Sequence, residues 1–300
     1  MSPVQQFLAI LALTAMWSPS FLFIKYAVES LSPMGLVWGR VSLAAILLLL
    51  MLRFRKQALP REFSFWKHMF GMAFFSSVFP FCLFSFAGKR IDSSISAMIN
   101  ATSPIFTAIF SHLFLPGDQI SSSKAVGISL SLMGLFWLLG PGDCFQTPKM
   151  YEGVVAACLA ASSYGISHVY AKKFVVGRAP FVAPAAQMIA SSITLLPLVA
   201  FYEGFDQFFV ASSTSLLSVV ALAFFGTFLA FSLYYRLLEY CGATSISMVT
   251  CFFPIGSMLL GALFLNEHIT LEKVMAAALI LTGGMIVNKV ITFRSKKVRA

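Results

Sequence analysis

The chain has 300 residues, of which 59% are hydrophobic and 11% are charged, and its formal net charge is +10. A soluble domain carries about 25% charged residues and could not hide this much apolar surface from water, so composition excludes a soluble protein. The sequence predicts a multi-pass protein of the cell membrane, or inner membrane. Its basic residues stand in short clusters between apolar runs, which is typical of membrane topology, and no nucleic-acid partner is expected.

Apolar runs long enough to cross a bilayer as a helix, about 20 residues each, recur ten times along the chain. An all-α membrane fold is predicted, because helices satisfy their own backbone groups in lipid and open strands do not. The predicted spans are Val4–Val28, Pro33–Leu52, Lys67–Ala87, Ser94–Leu115, Lys124–Gly140, Tyr151–Lys172, Phe181–Tyr202, Thr214–Leu238, Thr244–Leu265 and Glu272–Ile291.

Lysine and arginine residues between the spans predict the orientation of the protein. They concentrate on the side of the N-terminus, where they include Arg53, Arg55 and the C-terminal run from Arg294 to Arg299. Because positive charge accumulates on the cytoplasmic side of a membrane protein, both termini are predicted to be cytoplasmic.

The first and sixth spans each carry aromatic residues on one face. Trp17 and Phe21 are four positions apart, as are Tyr164 and His168, so each pair shares a helix face. If these faces line a central cavity, all four residues are candidates for substrate binding. His168 is also a candidate for proton coupling, because its reference pKa is near neutrality. The alternative is that His168 is a hydrogen-bonded structural residue.

Arg40 lies inside the second span, about 10 Å from the outer end of that helix. An ionisable residue embedded in the membrane is costly, so it is by default a functional hypothesis. One interpretation is that Arg40 binds a substrate carboxylate or phosphate, facing Gln187 of the seventh span. The alternatives are that Arg40 extends outward to the interface, or that it holds the fold by bonding a helix-end carbonyl.

Prolines occur in the fourth and ninth spans, at Pro104 and Pro254. Each removes a backbone donor and so predicts a helix kink, which makes the two prolines candidate hinges or gates. Asn100, about one turn before Pro104, is a candidate substrate contact. The simpler alternative is that prolines are tolerated in membrane helices.

Acidic residues and cysteines limit the chemistry of the membrane interior. Every Asp and Glu falls in a predicted loop or at a helix end. Proton-driven carriers commonly use an embedded acid, so for a carrier this pattern would favour facilitated diffusion or exchange. The five cysteines show no Cys-x-x-Cys spacing, and neither a metal site nor a cofactor is expected.

The two halves of the sequence resemble each other. Offsets of about 150 residues indicate one duplicated unit, with a first repeat at residues 1–145 and a second at 146–300. Each repeat has five spans, so the second is predicted to lie upside down relative to the first, with a binding site where the two face each other. The aligned pairs include Arg40 with Gln187, Phe74-Phe75 with Phe224-Phe225, Pro104 with Pro254, and Asp118 with Glu267.

The order of these motifs resembles the EamA-type members of the drug/metabolite transporter superfamily. The resemblance implies ten helices in two inverted five-helix repeats and transport of a metabolite by alternating access. The matching stretches are Trp17 to Phe21 and on to Lys25, Arg40, Asn100 to Pro104, Phe253-Pro254, and Leu265 to Thr270.

A carrier for a small organic metabolite, and not an enzyme, is therefore the predicted function. The family's relatives make an amino acid, or a nucleoside-bearing derivative such as S-adenosylmethionine, the expected substrate. One alternative is a flippase for a lipid or lipid-linked metabolite. A less favoured one is an intramembrane enzyme, for which the sequence offers neither an Asp-rich motif nor His-Glu-x-x-His.

Small residues on the last span offer a face for close helix packing. Ala276, Ala277 and Ala278 are followed by Gly283 and Gly284. Faces of this kind let the backbones of two membrane helices approach each other. A homodimer through the fifth and tenth spans is a possible consequence.

Overall fold

The computed structural model describes residues 3–140, 147–175 and 181–288, and throughout these ranges the regular structure is helical, with no strand. Seven helical stretches are long and apolar enough to cross a membrane, which confirms an all-α membrane protein. The predicted count of ten spans and the orientation of the termini stay predictions. The seven are Gln5–Ala27, Pro33–Phe54, Phe63–Gly88, Ser93–Phe114, Pro148–Phe174, Val182–Glu203 and Ser213–Leu237, with shorter apolar helices at Ser122–Leu138 and Phe253–Leu265.

The helices are numbered in chain order. They are α1 (Pro3–Trp17), α2 (Ser20–Ala27), α3 (Pro33–Phe54), α4 (Phe63–Ala73), α5 (Phe79–Gly88), α6 (Ser93–Asn100), α7 (Ser103–Phe114), α8 (Ser122–Leu138), α9 (Pro148–Phe174), α10 (Val182–Leu198), α11 (Gln207–Val210), α12 (Ser213–Ala223), α13 (Ala230–Leu265) and α14 (Leu271–Val287). The described part also holds π-helical segments at Phe74–Val78, Val199–Glu203 and Phe224–Leu229.

Polar caps begin several of the helices. In each case the side chain accepts a hydrogen bond from the backbone N–H three residues on, which satisfies one of the donors that a helix start leaves free. These caps mark where five of the described helices begin. The capping residues are Ser32, Ser121, Thr147, Ser212 and Thr270.

Two predicted spans are interrupted. The first span is divided into α1 and α2 at Ser18-Pro19, where proline supplies no N–H to the helix. The fourth span is divided into α6 and α7 just before Pro104, which lies in the first turn of α7. Its counterpart Pro254 lies inside α13, and the helix continues through it.

The stretch from Leu238 to Thr244 was predicted as a loop that connects the eighth and ninth spans. In the structure this stretch is helical and belongs to α13. No proline occurs in this stretch to stop the helix. The ring of Trp17 nevertheless contacts both Phe231 and Phe253, with centroids 6.1 and 5.9 Å away. A straight helix would separate those two residues by about 33 Å. The two arms of α13 therefore lie side by side, and the chain reverses between them.

Helix packing joins the two halves of the sequence throughout. The predicted repeat boundary, at residues 145 and 146, lies outside the described residues. We call the described chain up to residue 140 the first half and that from residue 147 the second half. The main contacts pair α8 with α14, α3 with α10, α9 with α5 and α7, α1 with α13, and α2 with α12. The halves are thus interleaved, and a cavity between them is lined by both.

The small-residue face of the last span packs inside the chain. A side chain at Gly283 of α14 would overlap Ser131 of α8, and one at Gly134 would overlap the α14 backbone. Ser131 Oγ also donates a hydrogen bond to the Ile280 carbonyl at 3.0 Å. The expected homodimer stays a prediction, and it would have to use the outward faces of α8 and α14.

Candidate functional site

A cavity of about 100 Å³ lies between the two halves. Its walls are mainly aromatic, with a few polar groups. Six of the seven residues proposed from the sequence as substrate contacts line it, and Gln187 does not. The six are Trp17, Phe21, Arg40, Asn100, Tyr164 and His168.

Arg40 is the permanent cation among the described lining residues, and it is only 4% exposed. Its Nε donates to Thr227 Oγ1 at 2.7 Å, and its Nη2 donates to the Gly226 carbonyl at 3.2 Å. The guanidinium carbon lies 3.9 Å from the centre of the Phe81 ring. No carboxylate of the described residues is within ion-pair distance of Arg40. A guanidinium has five N–H groups, so several of them stay available to a ligand in the cavity.

The π-helical segment Phe224–Leu229 fixes the orientation of Arg40. The wide turn of a π-helix changes the usual backbone pairing, and such segments occur frequently at functional sites. Here the Gly226 carbonyl also accepts a hydrogen bond from Trp17 Nε1 at 2.9 Å. Thr227 Oγ1 donates to the Leu222 carbonyl at 2.9 Å, so it is free to act as an acceptor for Arg40.

Gln187 makes the equivalent contact in the opposite direction. Its Nε2 donates to Ser77 Oγ at 2.7 Å, and its Oε1 accepts a hydrogen bond from Tyr235 Oη at 2.7 Å. Ser77 lies in the π-helical segment Phe74–Val78, as Thr227 lies in the equivalent one. Of these two equivalent residues, only Arg40 lines the cavity. Each binds the π-helical segment of the other half.

His168 belongs to α9 of the second half and lines the cavity. Its side chain contacts α7 of the first half. Its Nδ1 lies 3.2 Å from Thr107 Oγ1, and that hydroxyl donates to the Ser103 carbonyl at 3.0 Å. Because the Thr107 hydroxyl already donates its proton to Ser103, it must accept the hydrogen bond from His168 Nδ1–H. In a neutral imidazole ring the other nitrogen, Nε2, is then the hydrogen-bond acceptor. His168 can thus accept a hydrogen bond from a ligand.

Asn100 stands at the break between α6 and α7. Ser103 Oγ donates to the Asn100 carbonyl at 2.6 Å and approaches Asn100 Oδ1 at 3.3 Å. Within the described part of the chain, Asn100 Nδ2 makes no hydrogen bond. The amide therefore offers a hydrogen-bond donor to the cavity.

The aromatic walls come from both halves. Phe21 packs edge-on against Phe84 at 5.3 Å, and Phe84 stacks on Tyr164 at 6.0 Å. Trp17 packs against Phe231 and Phe253 of the second half, with ring centroids 6.1 and 5.9 Å away. These walls suit a flat apolar group.

Several lining residues were not singled out from the sequence. The internal repeat held a signal for four of them, because Phe81 and Phe84 align with Phe231 and Tyr234 at the same offset that aligns the two prolines. Ser20 could have been found as well, since it is one turn from Trp17. The residues in question are Ser20, Ile24, Ser76, Phe81, Phe84, Phe231 and Tyr234.

Comparison with known proteins gives a consistent result. The model of the EamA-like transporter family matches the chain twice, over residues 6–140 and 151–289. An uncharacterized transporter of Archaeoglobus fulgidus is 28% identical over 93% of this chain and 97% of its own. The uncharacterized inner membrane transporter YedA of Escherichia coli is 28% identical, over 94% of this chain and 88% of its own. A crystal structure that is 20% identical matches with a TM-score of 0.69, over 96% of this chain and 98% of that one, and so shares the fold.

Proposed function

Because the chain belongs to the EamA-like transporter family, we propose that this membrane transporter carries a small organic metabolite through the cavity between its halves. The observation that carries the proposal is Arg40, a buried cation on the cavity wall with no described carboxylate beside it. Burying an unpaired charge is costly, so such a group is retained where a ligand neutralises it. The named relatives are transporters as well.

Alternating access is the proposed mechanism. In support of it, the family model matches the chain twice, and the packing of α9 on α5 and α7 repeats that of α1 and α2 on α13 and α12. Two equivalent halves can exchange roles, so that the cavity opens first to one side and then to the other. The proposal includes inverted repeats, cytoplasmic termini and a place in the inner or plasma membrane.

Facilitated diffusion or exchange is the proposed mode of transport. No acidic side chain of the described residues lines the cavity, which leaves His168 as the candidate for proton coupling. The proposed substrate is an amino acid or an amino-acid derivative that bears a nucleoside, such as S-adenosylmethionine. Arg40 would bind the carboxylate, the aromatic walls would take the side chain, and His168 Nε2 would accept from the amino group.

A transport assay in proteoliposomes tests this function. Purified protein is reconstituted, and labelled amino acids and S-adenosylmethionine are screened for uptake and counterflow. Arg40→Ala and His168→Ala are measured beside matched controls outside the cavity, Arg236→Ala and His112→Ala. We expect both cavity variants to slow transport and both controls to keep the wild-type rate.

The same preparation separates the alternatives. A carrier shows activity only across a sealed bilayer, whereas an enzyme would convert its substrate in detergent. A flippase would move a labelled lipid between leaflets without moving any soluble metabolite. Wild-type counterflow in both Arg40→Ala and His168→Ala would exclude the proposed site.

A further inference from the structure

Ser20 is a buried hydroxyl without a hydrogen-bond partner in the structure. It is the first residue of α2, directly after the interruption at Ser18-Pro19, and it lines the cavity. The residue is 9% exposed. A buried polar atom left without a partner is unfavourable, so its retention on a cavity wall points to a ligand that supplies the missing hydrogen bond.

Ser20 and Arg40 flank the same point of the wall. That point is at Gly226, where a Cβ atom would lie 3.2 Å from Ser20 Oγ and 3.5 Å from Arg40 Nη2. Glycine leaves the space between hydroxyl and guanidinium open. The Ser20 hydroxyl and the Arg40 guanidinium therefore adjoin one small volume.

Resting on the proposed transport through this cavity, we infer that Ser20 and Arg40 together form a carboxylate subsite, and that the substrate is an organic monoanion or zwitterion with a flat apolar body. Arg40 is the single permanent cation among the described lining residues, which matches one carboxylate better than a phosphate dianion. No described carboxylate lines the cavity to hold a net cation. A zwitterionic amino acid therefore fits better than S-adenosylmethionine, which carries an additional sulfonium charge.

Four small probes that share a phenyl group separate these charge classes. They are 3-phenylpropionate, L-phenylalanine, phenethylamine and phenyl phosphate, and binding is measured by calorimetry on the full-length protein in nanodiscs. We expect 3-phenylpropionate and L-phenylalanine to bind, and phenethylamine and phenyl phosphate to bind at least about tenfold more weakly, because each lacks the matching single negative group.

Substitutions then locate the subsite. Ser20→Ala should weaken 3-phenylpropionate binding about tenfold, the effect of losing one hydrogen bond to a charged group. The matched control is Ser85→Ala, since Ser85 Oγ is also buried and unpartnered but does not line the cavity. Gly226→Ala should weaken binding as well, because its methyl group fills the space between Ser20 and Arg40 while the charge is kept. Ser20→Thr, which keeps the hydroxyl, should bind more tightly than Ser20→Ala.

The result separates this inference from the proposed function. The inference is wrong if phenethylamine binds as well as 3-phenylpropionate, if none of the four probes binds, or if Ser20→Ala matches Ser85→Ala. Counterflow of some other metabolite in proteoliposomes would still uphold transport in each of these cases. Loss of transport for every solute, with carboxylate binding intact, would instead uphold the subsite and contradict the carrier.

Discussion

Gln187 and Arg40 stand at equivalent positions of the two halves, yet their side chains are engaged differently. Both hydrogen-bonding ends of Gln187 are occupied, by Ser77 and Tyr235. We expect Gln187→Leu to leave both partners buried without a hydrogen bond and to lower stability by about 1–3 kcal/mol. Affinity for a cavity ligand should stay the same, because Gln187 does not line the cavity. Thermal unfolding and counterflow together check this prediction. A stable variant with impaired counterflow would place Gln187 in the binding site.

Asp118 is a residue whose protonation should affect stability. It accepts a hydrogen bond from Lys124 Nζ at 2.7 Å and lies 3.5 Å from Lys172 Nζ of α9. The hydrogen bond from Lys124 lowers the pKa of Asp118 below its ordinary value of 3.8, although partial burial opposes the change. The folded protein therefore binds this proton less tightly than the unfolded chain does. Its stabilising contribution is fully present well above pH 3.8 and is lost as the pH falls through the lowered pKa.

The wild-type protein should accordingly be more stable than Asp118→Asn at pH 7. The difference should shrink as the pH is lowered from about 5 to about 3. The thermal unfolding midpoints of the wild type and Asp118→Asn, measured over this pH range, test this prediction. Asp206→Asn, in an exposed loop, is the control. A difference that does not change with pH would contradict the assignment.

Six residues that line the cavity could be proposed from the sequence alone, most of them from shared helix faces or from a charge embedded in the membrane. Trp17 and Phe21, like Tyr164 and His168, follow from four-residue spacing, and Arg40 follows from the cost of a charge in lipid. The bond from Arg40 to Thr227 could not be predicted, because spacing along one helix does not show which residue of another helix it meets. For the same reason the contact of Gln187 with Ser77 could not be predicted.

At the scale of elements, the start of α6 is held by a carboxylate from the other half. Glu267 accepts hydrogen bonds from the backbone N–H groups of Ser93 and Ser94, at 2.6 and 3.1 Å, and from Ser94 Oγ at 2.8 Å. A negative charge at a helix N-terminus is favourable. Beside it, Lys273 Nζ bonds Asp92 at 2.8 Å. These contacts hold α6 to the loop after α13 and so close one end of the interface between the halves.

Glu267→Gln should loosen this closure. A neutral amide oxygen is a weaker acceptor than a carboxylate, so the amides of Ser93 and Ser94 should exchange with solvent about tenfold faster. Hydrogen exchange read by mass spectrometry measures this locally. Glu272→Gln in the first turn of α14 serves as the control. Unchanged exchange at Ser93 and Ser94 would mean that the carboxylate is not what holds α6 in place.

Element boundaries were predictable where the chemistry is local. The capped starts at Ser32, Ser121 and Thr270 agree with the expected span limits to within a few residues. The break at Pro19 was not expected, since proline is compatible with the middle of a membrane helix. The chain reversal inside α13 lies where the sequence places the connection between the eighth and ninth spans, but the helical backbone pairing through it was not expected. The π-helical segments depend on packing between helices and have no sequence signature.

For the whole molecule, the inverted arrangement predicts that Lys25 and Lys172 lie on opposite faces of the membrane. Lys25 shares a surface cleft with Asp92 and Glu267, at the start of α6. Lys172 lies beside Asp118, just after α7 ends. The span Ser93–Phe114 between these two ends has 22 residues, about 33 Å of helix and enough to cross the bilayer core.

Labelling in intact membrane vesicles tests this arrangement. An impermeant amine reagent added from one side of the membrane should modify only one of the two lysines, Lys25 or Lys172. The same reagent added from the other side should modify the other lysine. Lys25→Arg and Lys172→Arg variants identify the modified residue by mass spectrometry. Modification of both lysines from the same side would refute the inverted duplication.

The Gly226 carbonyl oxygen joins three spans at one atom. It accepts from the indole of Trp17 at the end of α1 and from the guanidinium of Arg40 in α3, and it belongs to the π-helical segment before α13. Any tilt of that segment away from the first half would break both hydrogen bonds in a single motion. The aromatic wall and the cationic group of the cavity thus share one acceptor, so a movement of this segment affects the hydrogen bonds of both.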